Sequence, residues 1–387
     1  MNLVRLGELV SVTGGGTPRK GVAAYYDGDI PWVTPKDMKA RVIAGSSVRI
    51  TQSGMGASPA KLVPAGSVLV VVRSGVLKHT LPVGLTTVPV TLNQDMKALT
   101  PGPFLDSSYL AHLLTDRAAE VLSWVRATTA DNFPIAKLLD LELRLPPIEE
   151  QRRIAAILDH ADALQQRLKR RVEELSSLES ALFCARFGAD EANAMVVEVA
   201  ADIRTGPFGS QLLHGEFVDQ GVAVLGLDNV VTNEFRWVER RFITSAKYDQ
   251  LKRYTVHAGD VLISIMGTVG RCVVVPGDIP LAINTKHICA ITPQPELAFP
   301  EFLRAAFLWH PESRAYLRGR TKGAIMNGLN MGIIKGMPVP LASIGRQRDF
   351  VREVGAVLME RRRAEAGAAW SESLTASIRV QAFSGRL

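Results

Sequence analysis

PAGSVLV, residues 64–70, returns as HAGDVLI at residues 257–263, an offset of 193. Other strings repeat at nearly the same distance. Ala98-Leu-Thr-Pro101 recurs as Ala290-Ile-Thr-Pro293, Gln151-Arg-Arg153 is echoed by Gln347-Arg348, and SLESAL at 177–182 by SLTASI at 373–378. Repeats decide architecture before any local reading, and a period near 190 residues is far too long for a solenoid unit. The chain therefore reads as one two-part module written twice.

Each copy opens with a region dense in Gly, Pro, Val and Ile, in which short apolar runs such as Ser67–Val72 and Val261–Ile265 predict strands. A helical stretch follows, residues 107–125 and 300–317. Prolines at 146–147 and at 338 and 340 then break the chain, because proline biases its predecessor toward extended backbone. After Pro147 the texture becomes that of a long helix. Glu149 and Glu150 lie in its first turn, where carboxylates favour the positive end of the helix dipole. Ile154, Ala161, Leu168, Leu175 and Leu182 recur every seven residues, with Ile157, Leu164 and Leu178 expected at the intervening seam positions. A seven-residue stripe sustained over four heptads calls for a partner helix, which the second copy offers through Phe350, Val357, Ala364, Ser371, Leu374 and Ile378. That second seam is thinner, with Glu353, Glu360 and Gly367 in it. The expected fold class is α+β, two strand-rich globules joined by two long helices.

Composition narrows the function classes. At 387 residues, 47% hydrophobic and 21% charged, the chain has enough material for two or three cores. No apolar run approaches the roughly 20 residues that cross a bilayer, and the start lacks a secretory pattern, so a cytoplasmic location is expected. Cys184, Cys272 and Cys289 are scattered, without a pair that suggests a disulfide framework or zinc site. A net charge of +7 suits an anionic partner.

The glycine-rich stretch GGGTPRKG, residues 14–21, is not a P-loop, because its basic pair precedes the last glycine and Val22 stands where the lysine should be. No GxSxG, HExxH or dinucleotide fingerprint appears, and no methyltransferase Asn/Asp-Pro-Pro-Tyr/Phe string. Asp27, Asp29 and Asp37 sit in turn-like sequence, so backbone capping explains them better than acid–base chemistry.

Three stretches carry a resemblance. Gly15-Gly16-Thr17-Pro18 followed by Tyr25-Tyr26 and Ile30-Pro31-Trp32-Val33 is similar to the opening of a target-recognition domain of type I restriction-modification specificity subunits. Gly206–Leu212 resembles a variant of the same opening, and Leu145-Pro-Pro-Ile-Glu-Glu-Gln-Arg-Arg-Ile154 resembles that family's start of a spacer helix. The resemblance implies a first target-recognition domain over 1–147, a central spacer helix over 148–190, a second target-recognition domain over 191–341 and a C-terminal spacer helix over 342–387. It implies that each globule reads one half of a bipartite double-stranded DNA target. The two helices would pair antiparallel, set the gap and dock two methyltransferase subunits, with restriction/translocase subunits joining the full complex. No catalysis is expected of this chain, and no cofactor: S-adenosylmethionine and ATP would sit on partner subunits.

On that reading the DNA-contacting residues are Arg19, Lys20, Lys36, Lys39, Arg73, Lys78, His79, Gln94 and Lys97 in the first copy, and Gln211, Arg271, Lys286, His287, Arg320 and Lys322 in the second. Helix pairing and subunit docking would fall to Glu150, Gln151, Ile154, Ile157, Leu164, Leu168, Leu175, Leu178 and Leu182, and to Gln347, Phe350, Leu374 and Ile378. The second helix departs from the pattern, with Arg346-Gln347 where the first has Glu150-Gln151. The competing expectation is a coiled-coil interaction scaffold without sequence-specific DNA binding. Salt dependence of binding to DNA separates the two, since phosphate contacts impose it and a scaffold need not.

Overall fold

The computed structural model describes residues 3–126, 131–321 and 328–384. The chain forms two compact units, one of residues up to Arg167 together with those from Gly367 on, the other Leu168–Ala366.

In the first unit, strands β1 (Val10–Gly14), β2 (Tyr26–Val33), β3 (Val42–Ile43), β4 (Arg49–Ile50), β5 (Val68–Val71), β6 (Val83–Thr86), β7 (Thr91–Leu92) and β8 (Met96–Pro101) make two sheets. Their orders are β1-β8-β5-β6-β3 and β4-β2-β7. Helix α1 (Ser107–Asp116) is capped by Asp106, whose carboxylate accepts from Tyr109 N at 2.9 Å. Strand β5 is apolar at every position because both of its faces are covered. Val68 and Val70 point into a core with Leu110 and Leu114 of α1, whereas Leu69 and Val71 point toward Val33 and Leu92 of the smaller sheet. The period of two along the strand assigns the faces.

The second unit repeats this plan. Its strands are β9 (Ala200–Thr205), β10 (Val222–Leu225), β11 (Phe242–Ile243), β12 (Thr255–Val256), β13 (Val261–Ser264), β14 (Cys272–Val274), β15 (Ala282–Asn284) and β16 (Ile288–Pro293), in sheets β9-β16-β13-β14 and β11-β10-β15-β12. Val261 and Ile263 face a core with Phe302 of the helix Pro300–Trp309, while Leu262 faces Leu225 and Ala282. The ladders agree in register: Val68 sits opposite Leu99 and Leu69 opposite Ala98, as Val261 sits opposite Ile291 and Leu262 opposite Ala290. The repeated Ala-Gly before each strand is a turn that needs the left-handed region, with φ +83° at Gly66 and +82° at Gly259.

Two helices of 40 residues complete the chain, Ile148–Phe187 and Ile344–Phe383. Neither is a free spacer. Ile154, Ala155, Leu158 and Ala382 belong to the core around α1 in the first unit. In the second, Phe183, Phe187 and Phe350 interlock with Phe302, ring centroids 4.9–6.4 Å apart. The helices run antiparallel where they meet in the second unit, Glu179 facing Arg361 and Arg186 facing Glu353.

The seam differs from the expected one by one position in each heptad. Ile154, Ala161, Leu168, Leu175 and Leu182 are buried or half-buried as expected, but their companions are Leu158 and Glu179, at 0% and 2% exposure. Leu164 and Leu178, expected inside, are 38% and 42% exposed. The second helix shows the same shift: Phe350 is followed inward by Val354 and Ser371 by Thr375, leaving Leu374 at 38%. Each helix meets a globule as well as its partner, so the buried stripe widens toward the globule, at the position four residues on.

Candidate nucleic-acid interface

In each unit the glycine-rich loop, the end of the central strand and the turn before the last strand meet at one rim. In the first unit Gly16 N donates to Leu92 O at 2.8 Å, and a side chain on Gly15 would start 1.8 Å from the Asn93 carbonyl oxygen. The glycines thus admit this protein's own backbone. Trp32 Nε1 donates to Gly16 O at 2.9 Å and the Tyr26 hydroxyl donates to Pro18 O at 2.8 Å. The aromatic residues of the loop are its braces. Arg19 and Lys20 stand exposed on the braced loop. Lys36 and Lys39, also exposed, flank a separate turn. Asp37 caps that turn, accepting from Thr34 N at 2.8 Å and Ser47 N at 2.9 Å. Burial opposes ionisation of Asp37, but the bonds from Ser47 and Thr34 outweigh it and hold its carboxyl below the usual value.

At the end of β5, Arg73 lies against a carboxylate that the sequence reading had not singled out. Asp95 Oδ1 accepts from Arg73 Nε and lies 2.6 Å from Nη2, while Oδ2 accepts from Asn93 Nδ2 at 3.0 Å. Gln94 accepts from the Thr17 hydroxyl, and Lys97 lies over Gly14. Arg73, Gln94 and Lys97 therefore share one rim with the glycine loop. Lys78 and His79 follow in the turn after β5, exposed, with Lys78 Nζ 3.9 Å from the Asp131 carboxylate.

The second unit keeps the backbone and changes the chemistry. Val72 N donates to Asp95 O at 2.9 Å, and Ile265 N donates to His287 O at the same distance. Asn93 N donates to Val33 O as Thr285 N donates to Leu225 O. These bonds pair Asn93 with Thr285, Gln94 with Lys286 and Asp95 with His287. Met266 follows Ile265 where Arg73 follows Val72. Lys286 is exposed and His287 half-buried; burial, then the Lys286 charge, holds His287 below the ordinary imidazole value. Arg271 is half-buried, its N–H donating to Ser264 Oγ at 2.8 Å. Gln211 accepts from the Tyr254 hydroxyl at 2.7 Å, and the Arg320 guanidinium stacks 3.6 Å from the Tyr316 ring centroid. Lys322 lies outside the described residues.

The residues expected to dock partners divide. Gln151 and Gln347 are internal, at 1% and 0% exposure, and make the same three bonds in their respective units. Gln151 accepts from Asp106 N at 2.9 Å and donates to the Phe104 and Pro146 carbonyls, both at 3.0 Å. Gln347 accepts from Phe299 N at 3.0 Å and donates to Leu297 O at 2.9 Å and Ala342 O at 2.7 Å. Each glutamine staples its long helix to the loop that opens a shorter one, α1 in the first unit and Pro300–Trp309 in the second. Beside it the copies diverge: Glu150 pairs with Arg153 at 2.7 Å, whereas Arg346 reaches Asp190 at 2.8 Å and the Arg186 carbonyl at 2.7 Å. In the first unit Ile157, His160, Leu164, Leu374 and Ile378 line an open, mainly apolar groove of about 530 Å³.

The chain has a duplicated α+β fold with two long helices. The crystal structure of a type I restriction-modification system S subunit from M. genitalium shares it, with a TM-score of 0.65 at 15% identity over 99% of this chain and 96% of that one. Residues 1–175 match the family model of the type I restriction modification DNA specificity domain. The chain is 39% identical over 162 residues to the EcoR124I/EcoR124II specificity subunit of Escherichia coli, covering 41% of this chain and 40% of that protein. It is 29% identical over 189 residues to the MjaIX specificity subunit of Methanocaldococcus jannaschii, covering 46% and 42%. The chain thus spans about two fifths of the length of these curated relatives. It is similar, over part of its length, to specificity subunits of type I restriction-modification systems.

Proposed function

We propose that this chain is a DNA-recognition subunit of a type I restriction-modification complex, each unit reading one half of a bipartite target and neither performing catalysis. The observation that carries the reading is the rim: backbone hydrogen bonds are reproduced between the copies, while the side chains they present are Arg73, Gln94 and Asp95 in one and Met266, Lys286 and His287 in the other. Frames that agree and rims that differ suit two different half-sites, since arginine and lysine favour guanine, and asparagine and glutamine favour adenine. Arg19, Lys20, Lys36, Lys39, Lys78 and Lys97 would contribute phosphate contacts, which position without specifying. The paired helices would set the gap between half-sites, and the apolar groove beside Leu164 and Leu374 supports docking of a methyltransferase subunit. Two such subunits, restriction/translocase subunits, and S-adenosylmethionine and ATP bound on those partners complete the proposed assembly, in the cytoplasm.

Filter binding of the full chain to duplex DNA at about 50 and 200 mM salt tests this. About six to ten phosphate contacts would weaken binding by roughly 10³- to 10⁵-fold across that range. Binding that ignores salt, or no binding to any duplex even with methyltransferase subunits present, would instead support the scaffold.

A further inference from the structure

We infer that Asp95 is a positioning residue that turns Arg73 into a reader of guanine in the first unit's half-site, an inference that rests on the DNA-reading function proposed above. The geometry selects the arginine's free edge. Asp95 Oδ1 takes Nε and lies 2.6 Å from Nη2, and Asp95 is itself held by the Asn93 amide at 3.0 Å and by its own N–H to Asn93 Oδ1 at 3.2 Å. Arg73 has 49% of its side chain exposed. With Nε directed inward, Nη1 and the outer hydrogen of Nη2 form an end-on fork toward solvent. That fork matches the O6 and N7 acceptors of guanine in the major groove.

A phosphate contact would call for the opposite design. Phosphate attraction is a charge effect that tolerates many orientations, and a carboxylate 2.6 Å from the guanidinium subtracts from it. Fixing the plane of an arginine while lowering the local charge helps only where direction carries information, which is base reading. Nor does the shared frame require the pair. The backbone bond from Val72 N to Asp95 O recurs from Ile265 N to His287 O, and the second unit forms it with histidine in place of the carboxylate and methionine in place of the arginine. The ion pair belongs to the rim of one reader.

The test takes the full chain in complex with its methyltransferase subunits, selects bound duplexes from a random pool and sequences them. Wild type is expected to fix a guanine at one position of one half-site. Asp95→Asn, which keeps Arg73 charged, is expected to lower that guanine preference about tenfold, the size of one lost bidentate contact, and to leave the other positions and the second half-site unchanged. Arg73→Lys should do the same, and the double variant should be no worse than either. Selection of the second half-site by the same molecules reports that each variant is folded. An Asp95→Asn complex with intact guanine preference, an equal loss on every sequence, a loss of both half-sites together, or a wild-type half-site with no guanine would each overturn the inference while leaving two-half-site reading in place. A wild-type complex that enriches no sequence would overturn the DNA-reading function itself.

Discussion

The two units anchor their globules to the long helices with charges of opposite arrangement. In the first, the loop before β3 offers a cation: Arg41 meets Asp159 and approaches Asp162 at 4.0 Å, while buried His112 of α1 donates to Asp159 at 2.9 Å and Arg379 donates to Asp162 at 3.0 Å. In the second, the loop after β10 offers a carboxylate. Glu234 meets Arg361 of the last helix, Arg361 lies 3.9 Å from Glu179, and Glu179 accepts from Arg304 of the helix Pro300–Trp309. The same architectural job is done by chemistry that cannot be exchanged between the copies. The comparison teaches that duplication preserved the frame and its staples, while the charged contacts that join globule to helix became particular to each unit.

Removing a charge should expose that particularity most strongly. Glu179→Ala leaves Arg304, 9% exposed, without its carboxylate, and about 3–5 kcal/mol of stability should be lost from the second unit. Hydrogen exchange during denaturant unfolding should place that loss in 168–366 and spare the first unit's core. A uniform loss, or none, would mean the cluster is not an anchor.

The seam comes next. Leu158→Ala should cost about 2–5 kcal/mol as a core truncation, whereas Leu164→Ala, at a partly exposed site, should cost under about 1 kcal/mol. Equal costs in urea titrations would restore the unshifted heptad. The staples then test sameness. Gln151→Ala and Gln347→Ala each strand a buried N–H and two carbonyls, and each should cost about 1–3 kcal/mol, by similar amounts. A large disparity would show that the two staples are not equivalent.

The smallest effect concerns pH. Burial holds His112 below the ordinary 6.5, outweighing the Asp159 bond that favours its charged form. The unfolded chain therefore takes up this proton first, so stability falls as pH drops below about 6.5, until folded His112 itself protonates. Asp159 acts lower. Burial opposes its charge, but bonds from His112, Arg41 and Ser108 outweigh it and hold the carboxyl well below the usual 3.8; its contribution is present above that value and disappears only in stronger acid. Thermal melts between pH 7 and 5 should show the first unit losing stability, and His112→Gln should reduce that loss.

Much of this was legible in the sequence. The duplication was visible because identical backbone tasks demand like residues, as the positive φ of Gly66 and Gly259 shows. The heptad positions Ile154 to Leu182 were visible because helix pairing imposes a period. Their companions were misplaced because a helix with two neighbours buries a stripe wider than the pairing seam alone, which single-partner periodicity does not report. Asp95 was missed for a different reason: it reaches Arg73 across a sheet, 22 residues away, and no local pattern links them.

The central claim is that two rims on one frame read two half-sites independently. Selection from a random duplex pool by the methyltransferase-bound complex, comparing wild type with Lys286→Ala/His287→Ala, tests it most directly. The account predicts two fixed half-sites separated by an unspecified gap in wild type, and in the variant a relaxed second half-site beside an unaltered first. A single uninterrupted motif, or a variant in which both half-sites change together, would contradict it.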